Sequence, residues 1–140
     1  MSGAITVTTD IDAPLDAVWT AWTAPEHITQ WNQASPDWHC PKASNDLRPG
    51  GLFSSTMAAR DGSFEFEFGG EHTAVVPHER IESRLGDGRT MQVVFEAQGA
   101  HRTRVTETFE PEGQNPVEMQ RAGWQAILDT FRQHVEGTLA

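Results

Sequence analysis

A run of helical periodicity at the end of the chain, from Pro116 to about Leu139, constrains this sequence more than any other feature. Val117, Trp124, Ile127, Leu128, Phe131, Val135 and Leu139 recur at helical spacing and make one broad apolar stripe. Glu118, Arg121, Gln125, Asp129, Arg132 and Glu136 fall on the opposite side, where Glu118–Arg121 and Asp129–Arg132 are i,i+3 pairs of opposite charge. Asn115 suits the N-cap, Pro116 the first helical position, and Glu118 the third position of a capping box. At about 1.5 Å per residue such a helix is roughly 36 Å long, the width of a small domain. A stripe of that length needs a long apolar surface to lie against.

The preceding sequence supplies that surface as a sheet. Ile5, Val7, Thr9 and Ile11 alternate with polar residues, which predicts a first strand with one apolar face. Pro14 opens a short helix carrying Val18, Trp19 and Trp22. A second short helix follows from a Thr23-x-x-Glu26 capping-box pattern and carries Ile28 and Trp31. From Asn32 to Gly51 three prolines and Gly50-Gly51 predict irregular chain, with a short strand at Ala43–Leu47. Strands are then expected at Leu52–Ala59, at the alternating Phe64-Glu65-Phe66-Glu67-Phe68 run continuing to Val76, at Arg80–Leu85, at Thr90–Glu96 and at Thr103–Phe109. Gly69-Gly70 reads as a bulge. Short connections between successive strands mean an antiparallel meander. The expected fold is α+β: a curved antiparallel sheet of about six to seven strands wrapped around a long C-terminal helix, with two short helices after the first strand, all in one domain over residues 1–140.

Charge limits the partners. Ten Lys and Arg stand against twenty Asp and Glu, a net charge of −10, which disfavours nucleic acid and anionic membrane surfaces. No apolar run approaches the ~20 residues of a membrane span, and the N-terminus lacks the basic start of a signal peptide. The single cysteine, Cys40, excludes an internal disulfide. A cytoplasmic location is the expectation. His39-Cys40 lacks metal-ligand spacing, so no metal and no cofactor is expected. Cys40 reads as a small buried residue or an ordinary thiol rather than a nucleophile.

Several short motifs run in order along nearly the whole chain. They are Ala13-Pro14 with Val18-Trp19, then Pro25 and Trp31, then Leu47-Arg48-Pro49-Gly50-Gly51 with Phe53. Gly70 with Val76-Pro77 and Arg80-Ile81, Thr103-Arg104-Val105, and Gly123-Trp124 complete the set. In these the chain resembles the START and polyketide-cyclase-like (SRPBCC) superfamily, and within it the bacterial branch named after homologues of the heat-shock ATPase activator. The resemblance implies the helix-grip fold and a deep, mainly apolar cavity between sheet and long helix. It implies no single reaction and carries no shared catalytic motif.

Candidates for that cavity follow from the patterning. Trp31 and Trp38 flank the irregular segment, where a cavity mouth is expected, and large aromatics suit apolar pockets. Phe64, Phe66 and Phe68 share one strand face, and Phe53, Phe95 and Ile127 lie on expected inner faces. Trp124 reads as core that also floors the cavity. Gly123, within the helix, is either closely packed against a strand or leaves room for ligand. Glu107 alternates with Val105 and Phe109, so it points inward as a desolvated carboxyl unless a bulge turns it out. His72 continues the Phe64-Phe66-Phe68 alternation, with the same two outcomes.

The reading ranked first is a binding protein for a small hydrophobic or amphipathic molecule. An enzyme using Glu107 or His72 on a cyclic or polyketide-like substrate ranks second, and a chaperone-partner protein third. A homodimer is compatible with a single domain of this size.

Overall fold

The computed structural model describes residues 3–138. The alternation of Ile5–Ile11 forms β1, with Ile5, Val7 and Ile11 buried. Two short helices follow, α1 (Leu15–Thr23) and α2 (Pro25–Trp31), then six strands and a final helix. The strands are β2 (Trp38–Asn45), β3 (Leu52–Ala59), β4 (Glu65–Val76), β5 (Arg80–Leu85), β6 (Thr90–Ala97) and β7 (Thr103–Phe109); the helix is α3 (Val117–Thr138). All seven strands join one antiparallel sheet in the order β1-β7-β6-β5-β4-β3-β2. The meander from β2 to β7 thus ends by pairing with β1, and β1 and β2 are the two edges.

Both edges are covered by helices, which keeps free backbone groups from pairing with another chain. α2 packs on β2, and α3 lies along β1. Polar side chains of α3 complete the second cover. Arg121 and Gln125 donate to the carbonyls of Thr6 and Thr8 at 3.3 and 3.2 Å, and Glu136 accepts from the Asp12 amide at 3.0 Å. The face of α3 opposite its apolar stripe is therefore not merely solvated.

Gly69 and Gly70 let the strands on either side approach β4 closely. A Cβ on Gly69 would sit 2.2 Å from the Phe53 carbonyl oxygen, and one on Gly70 2.1 Å from that of Arg84. Both neighbouring strands close onto β4 there, and only glycine leaves room. This corrects the bulge expected at these glycines: the β3–β4 register runs through them unbroken, and the β4–β5 register shifts later, between His72 and Ala74.

Other expectations change for local reasons. The irregular segment contains an eight-residue strand, β2, despite Pro41. Proline is tolerated because β2 is an edge and its register shifts between His39 and Lys42. Neither capping box forms. Thr23 closes α1, its hydroxyl donating to the Trp19 carbonyl, and α2 starts from Ala24 without a side-chain cap. The Asn115 side-chain amide bonds Glu112 at 3.2 Å, while Glu118 pairs with Arg121. Arg132 pairs with Glu136 rather than Asp129. Leu139, at the end of the expected stripe, lies outside the described residues.

The core fills the end of the fold closed by α1 and α2. Leu128, Phe131 and Val135 of α3 are fully buried, together with Val18, Val105 and Ile11. Rings organise it: Phe131 meets Trp22 and Trp31 edge-on at 4.9 and 4.8 Å, and Phe95 meets Trp19 at 5.1 Å. Val117, at the other end of the stripe, is 45% exposed. The apolar stripe of α3 is thus fully used at its C-terminal half only.

Gly123 is not closely packed against a strand. A Cβ there would have nothing within 4 Å, so no strand packs closely on it. Its helical backbone without a packing reason predicts that Gly123→Ala stabilises the protein by about 0.5–1 kcal/mol, read as a rise in the midpoint of urea unfolding. An unchanged or lower midpoint would refute this.

Candidate functional site

Where the stripe of α3 leaves the core, a pocket of about 430 Å³ opens between helix and sheet. Strand alternation builds its floor. Phe53, Ser55 and Met57 come from β3, Phe66, Phe68 and His72 from β4, Ile81 and Ser83 from β5, Met91 and Val93 from β6, and Glu107 from β7. Trp124 and Ile127 of α3 form the roof, with Gln120 beyond them, and Trp22, Ile28, Trp31 and Asn32 close the end beneath α1 and α2. At the other end stand Arg89, Glu112 and Asn115. The exposed wall is mainly apolar and aromatic, as in small-molecule sites, and is interrupted by polar groups such as His72, Ser83 and Glu107.

Trp124 ties roof to floor. It stacks on Phe109 at 3.7 Å and meets Phe68 edge-on at 5.8 Å. Phe109 itself is fully buried behind it.

The structure does not bring every proposed residue to the pocket. Trp38 and Phe64 lie outside it, in an aromatic cluster with Phe66 on the rim; Phe64 is 59% exposed because β4 begins only at Glu65. Phe95 sits two residues past Val93 along β6 and packs beneath α1 in the core. Gly123 is also off the wall. Trp31, Phe53, Phe66, Phe68, His72, Glu107, Trp124 and Ile127 do line it.

The Nε2 proton of His72 is fixed by partners that no sequence pattern connects. The Asn45 Nδ2 donates to the Thr23 carbonyl at 2.8 Å, so its Oδ1 faces His72 Nε2, 2.7 Å away, and accepts. Nε2 therefore carries a proton, and Nδ1 shares a 3.0 Å hydrogen bond with the Ser83 hydroxyl. Burial lowers the pKa of this histidine, against the opposing pull of Asp46, in keeping with a neutral ring. Phe53 stacks on it at 4.7 Å. Ser83 was legible from its place two residues beyond Ile81 on one strand face. Asn45 falls within the strand expected at Ala43–Leu47, but nothing local connects it to His72.

Glu107 is the opposite case. It is 4% exposed, points from β7 between Val105 and Phe109, and among the described residues nothing hydrogen-bonds its carboxyl. Desolvation alone pushes it up to about 8. It pairs across the sheet with Val7 and Val93. The His72 row runs through Ser83 and Met91 to Phe109, two residues past Glu107. Three strand spacings separate the two strands, about 14 Å along a sheet. His72 and Glu107 do not form one acid–base pair.

Cys40 is buried, its thiol pushed up by desolvation and bonded to the Lys42 carbonyl at 3.4 Å. Among the described residues no helix is long and apolar enough to cross a membrane.

Comparison with known proteins places this architecture. The family described as Activator of Hsp90 ATPase homolog 1-like protein matches residues 12–136. The solution structure of an AHSA1-like protein from Aeromonas hydrophila is 40% identical with a TM-score of 0.86, over 95% of this chain and 93% of that one. Chr148 from Cytophaga hutchinsonii is 46% identical with a TM-score of 0.83, over 99% and 95%. NE0264 from Nitrosomonas europaea shares the fold at 20% identity and a TM-score of 0.81, over 96% and 94%. No curated protein matches the chain.

Proposed function

The chain belongs to the family of Activator of Hsp90 ATPase homolog 1-like proteins, and on that premise we propose that it binds a small hydrophobic or amphipathic molecule between α3 and the sheet. The observation that carries this reading is the pocket itself. Its 430 Å³ lie within the usual range of ligand sites. An aromatic and aliphatic wall of this kind, left unfilled by side chains, forgoes contacts that a ligand would restore.

N-phenyl-1-naphthylamine, whose fluorescence rises in apolar surroundings, is the direct probe. The expected result is saturable uptake of one molecule per chain. Ile127→Trp, which places a larger side chain in the pocket, should weaken uptake at least tenfold while circular dichroism stays native. Binding that does not saturate, or that Ile127→Trp leaves unchanged, would rule the pocket out. Native mass spectrometry of protein purified from its own host then identifies the resident molecule.

A further inference from the structure

We propose that the ligand of this pocket is an organic cation: a hydrophobic amine whose ammonium group pairs with Glu107 while its apolar body lies against Trp124 and Phe68. The proposal rests on the pocket-binding reading above and adds the ligand's chemistry.

Glu107 is buried at the pocket wall with no protein hydrogen bond among the described residues, and since no side-chain oxygen there is both enclosed and unpartnered, its carboxyl opens onto the pocket. The other titratable groups on the wall are His72, Arg89 and Glu112. His72 is neutral and spends both ring nitrogens on Asn45 and Ser83. Arg89 is committed to Asp87 at 2.7 Å and to the Glu110 carbonyl at 3.1 Å. Glu112 accepts from the amides of Gln114 and Asn115. No cation of the wall bears on Glu107, whose carboxyl is shifted by desolvation alone, so a cationic partner can come only with the ligand.

Charge selects its sign. A carboxylate or phosphate ligand would meet a second acid in a desolvated site and a chain of net charge −10. An ammonium gains from the same field and from the faces of aromatic rings. A neutral alcohol or ketone gains only one hydrogen bond.

The pairing has a proton signature. At pH 7 Glu107 enters mainly as the neutral acid, since burial pushes it up to about 8. Binding a protonated amine converts COOH and RNH₃⁺ into the pair COO⁻···RNH₃⁺ and releases one proton to solvent.

The test compares 2-naphthylmethylamine with 2-naphthylmethanol, which differ only in the polar group. Isothermal calorimetry at pH 7 in two buffers of different ionisation enthalpy reads both affinity and proton release. The expected result is at least tenfold tighter binding of the amine, with close to one proton released per site. Glu107→Gln should abolish the preference and the release while still taking up the alcohol. Equal affinities, or no proton release by the wild type, would overturn the amine proposal and leave the pocket reading standing. Exclusion of both compounds overturns the amine proposal too, and if N-phenyl-1-naphthylamine is also excluded the pocket reading falls with it.

Discussion

Glu107→Gln is expected to raise the melting temperature of the ligand-free protein by on the order of 10 °C at pH 7. The group is a buried acid with a folded-state pKa near 8 against an ordinary value of 4.5, raised by desolvation alone. A raised pKa gives stability that is fully present below about 4.5 and lost as pH climbs through 8, because the unfolded chain ionises first. By pH 7 that loss is about 3 kcal/mol. For a chain of this size it corresponds to roughly 10 °C. Glutamine keeps the shape of the protonated acid and cannot ionise, so it removes the loss without opening a cavity. The difference between the two proteins should be about 1 kcal/mol at pH 5 and grow steadily to pH 8. His72 and His134 act in the other direction. Burial lowers both, with His27 also lowering His134, so their contribution is present above the ordinary histidine value of 6.5 and lost as pH falls. They affect both proteins alike and cancel in the comparison. Parallel melting curves from pH 5 to 8 would show that Glu107 is not desolvated in the folded state.

Phe131→Ala should be the most damaging single truncation in the helix, at about 3–5 kcal/mol. Phe131 is fully buried and meets Trp22 and Trp31 edge-on, so one ring joins α3 to both short helices. The two tryptophans also stack on each other at 5.0 Å, which leaves them little freedom to collapse into the space. Met119→Ala on the same helix, with Met119 63% exposed, should stay within about 0.5 kcal/mol. Urea unfolding of the two variants compares them directly. Similar midpoints would mean that α3 is not held by this contact. Trp22 and Trp31 also close one end of the pocket, so Phe131 joins the stability of the core to the shape of the site.

Periodicity made most of the frame legible. The α3 stripe, the β4 alternation and the hairpin spacings needed only local sequence, because helical and strand side chains repeat at 3.6 and 2. The same alternation placed His72 and Glu107 on the inner face, with a bulge as the alternative; the register shift falls one residue past His72 and leaves both inside. What failed locally was capping. Thr23 and Asn115 have the right chemistry, yet each spends its side chain elsewhere, on Trp19 and Glu112. Of strand β2 only the part within Ala43–Leu47 is legible, because proline normally argues against a strand and only the position at the sheet edge makes Pro41 acceptable.

The sequence by itself determined a curved antiparallel sheet gripping one long helix, because periodic apolar faces must be buried and short connections force neighbouring strands to pair. Which part of that apolar surface became core and which became pocket was decided by tertiary structure alone. Phe95 and Trp124 look alike in the sequence as inward aromatics, but α1 comes down onto Phe95 while Trp124, stacked on Phe109, faces the pocket. Asn45, Ser83 and His72 are joined across strands far apart in the chain, while Glu107 has no hydrogen-bond partner among the described residues. Alternation fixes the face a side chain points to; only the packing of distant elements fixes what it finds there.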